Sequence, residues 1–265
     1  MSLFRRRTIA GSRVVVTGAS AGIGLALAEE FGRRGAKLVL NARREDVLRG
    51  IAEKLAAGGT EVEIVVGDVA DPEVRAKLLA AAQERFGGLD TLINNAGVGV
   101  FGRFADAQPE QLRQVFEVDF FAAAELTRSA IPLLRQGRDA LVINIGSILG
   151  QRGIPYSAEY CAAKFAMRGF SEALRPELKK LGIGLLLVSP GTTDTGFFNN
   201  VLAMNVSLPW RKNNPRGTPP AAVARATANA AERGRREIVP SLGGTAMLLL
   251  NRFFPWPIDW YLDRA

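Results

Sequence analysis

Arg13-Val14-Val15-Val16-Thr17-Gly18-Ala19-Ser20-Ala21-Gly22-Ile23-Gly24 is the stretch whose reading decides the fold. Its valine run is short, continuous and β-branched, as in a strand buried on both faces. Glycines then make a tight turn, and residues 23–33 place Ile23, Leu27 and Phe31 at helical spacing. In a strand–glycine turn–helix unit the backbone can approach a pyrophosphate closely. The helix N-terminus behind it offers unpaired N–H groups and a favourable dipole. The spacing is Gly-x-x-x-Gly-x-Gly rather than Gly-x-Gly-x-x-Gly. Taken alone, it is also compatible with a glycine-rich turn that holds nothing.

The alternation continues outward. Residues 37–41 read as a second strand, 47–56 as a helical stretch, 62–66 as a third strand and 72–86 as a helix with Pro72 at its start. Residues 91–93 are short and apolar, 110–134 read as one long helix, and 141–145 and 184–188 are two further apolar runs. Continuous apolar strands alternating with helices predict an α/β fold. It is a single-domain, doubly wound parallel sheet of Rossmann type with helices on both faces. Residues 199–220 are the one long irregular segment, rich in Asn and Pro, with the character of a binding loop. Three regions follow: a basic N-terminal extension (1–9), the Rossmann domain (10–240, with a substrate loop at 196–220) and an apolar, aromatic tail (241–265).

Composition excludes several chemistries. The 265 residues contain no histidine, so Ser-His-Asp and Cys-His catalysis and His-ligated metal sites are ruled out, and no metal site is expected. The single cysteine, Cys161, cannot form an intramolecular disulfide, so nothing suggests an oxidising compartment. No apolar run is long enough to span a bilayer, and none of signal-peptide length follows the basic start. The expected location is the cytoplasm, with peripheral membrane contact as an option. The net charge of +8 favours phosphate-bearing ligands, anionic surfaces or nucleic acid alike. The basic residues do not interleave with aromatics on one element, so no nucleic-acid partner is expected.

The end of the second strand carries the cofactor signal. An acidic residue there would bond both ribose hydroxyls of a dinucleotide and repel a 2′-phosphate. Here Ala42 is followed by Arg43 and Arg44. Two guanidiniums would welcome that phosphate through charge-assisted hydrogen bonds, so NADP(H) is expected over NAD(H).

Ser147 follows the 141–145 strand, Tyr160 lies thirteen residues later and Lys164 four beyond that. On a helix, positions i and i+4 share a face, so Tyr160 and Lys164 can meet one ligand. A phenol is a poor base at neutral pH. Lowering its pKa by about three units means stabilising the phenolate by roughly 4 kcal/mol, and a nearby ammonium acts in that direction. Ser147 can hold a substrate oxygen while Tyr160 gives or takes the proton.

With these motifs in order, the sequence resembles the short-chain dehydrogenase/reductase family in its single-domain form, over roughly residues 10–240. Residues 17–24 match TGxxxGxG, which implies cofactor contacts from Gly18, Ser20, Ala21, Gly22, Ile23 and Gly24. Asp68 and Val69 match the adenine-contacting pair. Asn94-Asn95-Ala96-Gly97 matches NNAG, with Asn95, Ala96 and Gly97 lining the cofactor cleft. Ser147, Tyr160 and Lys164 match the catalytic set, and Pro190, Gly191, Thr193 and Thr195 fall in the segment that holds the nicotinamide carboxamide. The resemblance implies that Lys164 also bonds the nicotinamide ribose, that hydride transfer needs no metal, and that the protein is a homodimer or homotetramer. One position departs. Asp119 stands where many members carry an Asn that relays protons through water to the lysine. It cannot donate when ionised, and its charge would raise the Lys164 pKa.

The substrate end should lie beyond the strands' carboxyl ends, at residues 150–157 and after Thr195. Gly196-Phe197-Phe198 and the 201–210 stretch are apolar and suit a lid over a hydrophobic carbonyl or alcohol of fatty, steroid-like or terpenoid kind. All three tryptophans lie after residue 209, two of them in the tail. Beside Arg252 they suit subunit packing or a substrate-site cover, and secondarily a membrane surface. The expected function is an NADP(H)-dependent carbonyl reductase or alcohol dehydrogenase. The readings set against it are an epimerase or dehydratase, which would usually carry an extra substrate domain, and a non-catalytic NADP(H)-sensing protein of the same fold.

Overall fold

Val14, Val15 and Val16 lie in strand β1 (Arg13–Val16), and their side chains alternate between two cores. The computed structural model describes residues 6–199, 201–204, 206 and 217–264. Val14 and Val16 join Leu38 and Leu40 of β2 (Lys37–Ala42), Ile143 of β6 (Leu141–Ile145) and Leu186 of β7 (Gly184–Val188) on one face. Helices α1 (Gly22–Arg33), α2 (Glu45–Ala57) and α7 (Pro220–Glu232) cover that face with Leu27, Phe31, Leu48 and Ala224. Val15, Val39, Leu92 and Val142 turn the other way. They pack on Leu78 of α3 (Pro72–Phe86), Leu126 and Leu134 of α5 (Ala122–Arg135) and Leu178 of α6 (Ala158–Lys180). This explains why the strands read as unbroken apolar runs: both faces are buried. Each fully buried Leu or Phe contributes about 1.5–3 kcal/mol through removal from water.

The sheet has seven parallel strands in the order β3-β2-β1-β4-β6-β7-β9, where β3 is Val62–Val66, β4 is Thr91–Asn94 and β9 is Glu237–Ile238. β1 pairs with β2 on one side and β4 on the other, so the winding reverses between β1 and β4. A cleft opens at such a switch point beyond the strands' carboxyl ends. A small parallel pair, β5 (Val100–Phe101) with β8 (Ala203–Met204), stands beside it.

Two expectations need correction, and the structure adds the tail's form. Residues 110–134 are not one regular helix. α4 (Pro109–Phe116) leads through a π-turn (Glu117–Phe121) into α5. The wider turn repeats every i+5, and a periodicity of apolar residues cannot show one such turn. The six strands read from the sequence omit β9, a two-residue edge strand held by Leu187 and Val188 of β7 rather than by an apolar run of its own. The tail is helical, with α8 (Leu242–Phe253) capped by the Ser241 hydroxyl, and α9 (Pro255–Leu262) started by Pro255. Of the expected substrate loop at 196–220, residues 200, 205 and 207–216 lie outside the described residues, as do residues 1–5 of the basic extension. Arg7 ties that extension down, its backbone N–H donating to the Glu232 carbonyl (2.9 Å) and its Nε to that of Asp139 (3.0 Å). Among the described residues, no helix is long and apolar enough to cross a membrane.

Candidate active site

The turn after β1 is held open by contacts with the end of β4. Thr17 Oγ1 accepts the N–H groups of Asn95 (3.0 Å) and Ala96 (3.1 Å), while Asn95 Nδ2 donates to the carbonyls of Thr17 (2.9 Å) and Gly18 (3.2 Å). Gly18 has φ +65°, and a Cβ there would lie 2.8 Å from Ala96 Cα. A Cβ on Gly24 would lie 2.2 Å from the Gly18 carbonyl oxygen. Gly18 therefore needs glycine for conformation as well as for space, and Gly24 needs it for space alone. The N-cap of α1 is Ala21, which has no side-chain oxygen to occupy the first-turn N–H groups. The turn is thus a backbone cradle with free donors, which fits a pyrophosphate.

A cleft of about 780 Å³ runs from this cradle along the sheet's carboxyl edge. Every residue expected to bind cofactor lies on its wall, from Gly18 and Ser20–Gly24 through Arg43, Arg44, Asp68, Val69 and Asn95–Gly97 to Pro190, Gly191, Thr193 and Thr195. Arg43 and Arg44 are exposed at the end of β2, with no acid preceding them. The Arg43 guanidinium stands 4.0 Å from the Asp68 carboxylate, a solvent-exposed pair of little energetic weight.

The reacting groups converge at the other end. Ser147 caps a short 3-10 turn after β6, its Oγ accepting the Leu149 N–H at 3.1 Å. Tyr160 lies in the first turn of α6, near enough to Ser147 for that hydroxyl to act on its pKa. Lys164, one turn on, holds its ammonium 5.4 Å from the Tyr160 ring centroid and donates to the Ile145 carbonyl at 3.4 Å. The helical spacing brings the pair to one face as expected, and Ser147, Tyr160 and Lys164 all reach the cleft.

Asp119 sits behind them rather than on the cleft wall. The π-turn directs its fully buried carboxylate at Lys164, with Oδ2 2.9 Å from Nζ, while Oδ1 accepts the Val98 N–H at 2.7 Å. Burial works to lower the Lys164 pKa, but the charges of Asp119 and Tyr160 and the Asp119 hydrogen bond override it, and the net shift is upward. Burial pushes the Asp119 carboxyl up against the opposing pull of Lys164 and the Val98 N–H. Tyr160 departs from the simple expectation of a lowered pKa. Burial raises it, Lys164 and the Ser147 hydroxyl lower it, and Asp119 raises it again, leaving it above the ordinary phenol value. Lys164 acts as anticipated, but desolvation and the aspartate outweigh it.

The sequence placed Phe197 in a lid and offered the tail as a substrate-site cover, but it did not show which residues meet at the site. Phe101 and Phe197 flank the Tyr160 ring with centroids 5.7 Å away in each case, forming an aromatic wall at the substrate end. Gly99 next to them offered the signal, since a Cβ there would lie 2.7 Å from the Phe101 ring. Ser241, Gly243, Gly244 and Met247 of the tail also line the cleft, and no spacing in the sequence links them to Ser147.

Comparison with known proteins agrees with this geometry. The pattern of the short chain dehydrogenase family matches residues 12–205. A hydroxysteroid 11-beta-dehydrogenase 1-like protein from Xenopus tropicalis is 32% identical over 265 residues, covering 98% of this chain and 90% of the relative. A short chain dehydrogenase/reductase from Burkholderia phymatum, solved in complex with NAD, superposes with a TM-score of 0.85 at 27% identity, covering 93% of this chain and 94% of that one. An alcohol dehydrogenase from the archaeon Thermococcus sibiricus, complexed with 5-hydroxy-NADP, gives 0.77 at 27% identity, covering 86% and 95%.

Proposed function

The chain belongs to the short-chain dehydrogenase family of oxidoreductases, and we propose that within it the protein is an NADP(H)-dependent carbonyl reductase or alcohol dehydrogenase acting on a hydrophobic substrate. The observation that carries this reading is the convergence of Ser147, Tyr160 and Lys164 at one end of a cleft whose other end is the glycine cradle.

The cradle at residues 18–24 would hold the pyrophosphate, Asp68 and Val69 the adenine, and Thr193 and Thr195 the carboxamide. Lys164 would also hold the nicotinamide ribose. Bound there, the nicotinamide supplies or accepts the hydride. Ser147 holds the substrate oxygen by a hydrogen bond. During reduction the Tyr160 hydroxyl donates its proton to that oxygen, and during oxidation the phenolate takes it back. Lys164 stabilises the phenolate electrostatically from one helical turn away. The adjacent apolar wall of Phe101 and Phe197 excludes water and favours an uncharged substrate body.

Arg43 and Arg44 at the end of β2 support NADP(H) over NAD(H). The three core clusters run from Ile9 to Ile238, which supports a division between a Rossmann domain and an added tail near residue 240. Exposed Leu112, Phe121 and Phe165 on the α4–α5–α6 side support a homodimer or homotetramer. A screen of carbonyls and alcohols followed by NADPH absorbance tests the reading, with Tyr160→Phe as the control. Turnover that needs Tyr160 supports it. NADPH binding without turnover of any compound favours the non-catalytic sensor.

A further inference from the structure

Helix α8 is attached to the domain by one face. Ser241, Gly244, Met247, Leu248 and Asn251 recur at helical spacing and are half-buried, whereas Leu249, Leu250 and Phe253 on the other side are exposed. Its first turn seats beside the reacting groups. A Cβ on Gly244 would lie 3.1 Å from Val239 Cγ1 and 3.6 Å from Ile148 Cγ2, and Ile148 directly follows Ser147. The far end is held by charge. Arg152, in the segment after the Ser147 turn, donates Nη1 to Asn251 Oδ1 of α8 (3.0 Å) and Nη2 to the Asp259 carboxylate of α9. No core cluster contains a residue of α8 or α9, so the half-buried face and this latch together seat the helix.

The cleft is therefore lined by Phe101 and Phe197 beside Tyr160, and by Met247 from the helix whose first turn seats on Ile148. Among the described residues lining the cleft, the ionisable side chains besides Tyr160 and Lys164 are Arg43, Arg44 and Asp68, all at the adenosine end. These tail residues lie beyond residue 205, where the family match ends. We infer that Met247 is a specificity-determining residue and Arg152 its positioning residue, and that together they favour uncharged carbonyl compounds whose apolar body packs on this wall. The inference rests on the oxidoreductase reading only for the naming of the substrate's carbonyl. A flexible thioether is suited to packing on varied apolar shapes.

The test compares cyclohexanone with 1-decalone on the full-length protein saturated with NADP⁺, using ligand-observed NMR for dissociation constants and NADPH absorbance for turnover. The wild type should bind decalone more tightly than cyclohexanone. Met247→Trp, which fills the wall, should weaken decalone about tenfold and leave cyclohexanone within about twofold. Leu249→Trp, on the exposed face, should change neither. Arg152→Ala should weaken decalone binding without changing NADP⁺ affinity, and in turnover the effect should fall on KM rather than kcat. Decalone bound no more tightly than cyclohexanone, or equal losses in Met247→Trp and Leu249→Trp, overturns the inference whether or not either ketone is reduced. Equal weakening of both ketones by Arg152→Ala overturns the positioning role. Selective binding without reduction of either ketone supports the wall and counts against the oxidoreductase reading alone.

Discussion

Lys164 Nζ lies 2.9 Å from Asp119 Oδ2 in an ion pair in which the side chains are 5% and 0% exposed. The pair joins the catalytic helix α6 to the π-turn before α5 and, through the Val98 N–H, to the loop after β4. A charge so buried is tolerated only with its partner, because neither ion has water to turn to. Asp119→Asn should therefore lower the Lys164 pKa and, by removing a negative charge that raises it, lower the Tyr160 pKa as well. Alcohol oxidation needs the phenolate, so the rising limb of its pH–rate profile should move to lower pH. The profile of kcat/KM for wild type and variant checks this, and an unchanged limb removes Asp119 from the proton chemistry.

Tyr160→Phe keeps the ring between Phe101 and Phe197 and removes only the hydroxyl. Turnover should fall by about 10²–10⁴-fold, the usual weight of a general acid or base. NADPH affinity, measured by fluorescence titration, should stay within a few-fold.

Arg43 stands at the end of β2 with its guanidinium largely in solvent. Arg43→Ala should weaken NADPH by about 10- to 100-fold, the equivalent of one charge-assisted hydrogen bond. NADH should be little affected, and parallel titrations decide the point. Equal loss for both cofactors would remove Arg43 from phosphate recognition.

Gly24→Ala places a methyl 2.2 Å from the Gly18 carbonyl oxygen, a backbone atom that cannot swing aside. The turn must open, at a cost of about 1–3 kcal/mol. A lower melting temperature together with weakened NADPH binding is the expected result.

Asp90, at the edge of β4, accepts the Arg13 backbone N–H (2.9 Å), Arg13 Nε (2.9 Å) and Arg13 Nη2 (2.7 Å), as well as the Arg138 N–H. Burial works to raise its pKa, but these donors and the Arg13 charge override it, and the net shift is downward. A carboxylate whose folded pKa is depressed stabilises the fold above its unfolded value, and that contribution is lost as pH falls through the folded value. Asp90→Ala should cost about 2–4 kcal/mol at neutral pH, in the range for breaking a mostly buried pair. The deficit should shrink as pH falls below about 4, the ordinary range for a carboxylate. Denaturant melts at pH 7 and pH 3 measure both.

The strands could be read because each of β1, β2, β6 and β7 is buried on both faces, which leaves an unbroken apolar signature within one chain segment. The π-turn at 117–121 and the strand β9 could not. The first shifts a helix by one residue without changing its composition, and the second owes its pairing to Leu187 and Val188. The site divides in the same way. Gly18, Gly24, Tyr160 and Lys164 act at fixed local spacings, so their roles were legible as motifs.

By itself the sequence determined the βαβ alternation, the glycine cradle, the basic end of β2 and the Tyr160–Lys164 register, since each depends on residues a few positions apart. Only the tertiary structure decided that Asp119 meets Lys164 directly, and that Phe101, Phe197 and Met247 enclose the same end of one cleft. Those contacts join residues from β5, the π-turn, α6 and α8 across a parallel sheet. Pairings at such separations arise when the helices dock and the strand ends converge, and local spacing along the chain does not encode them.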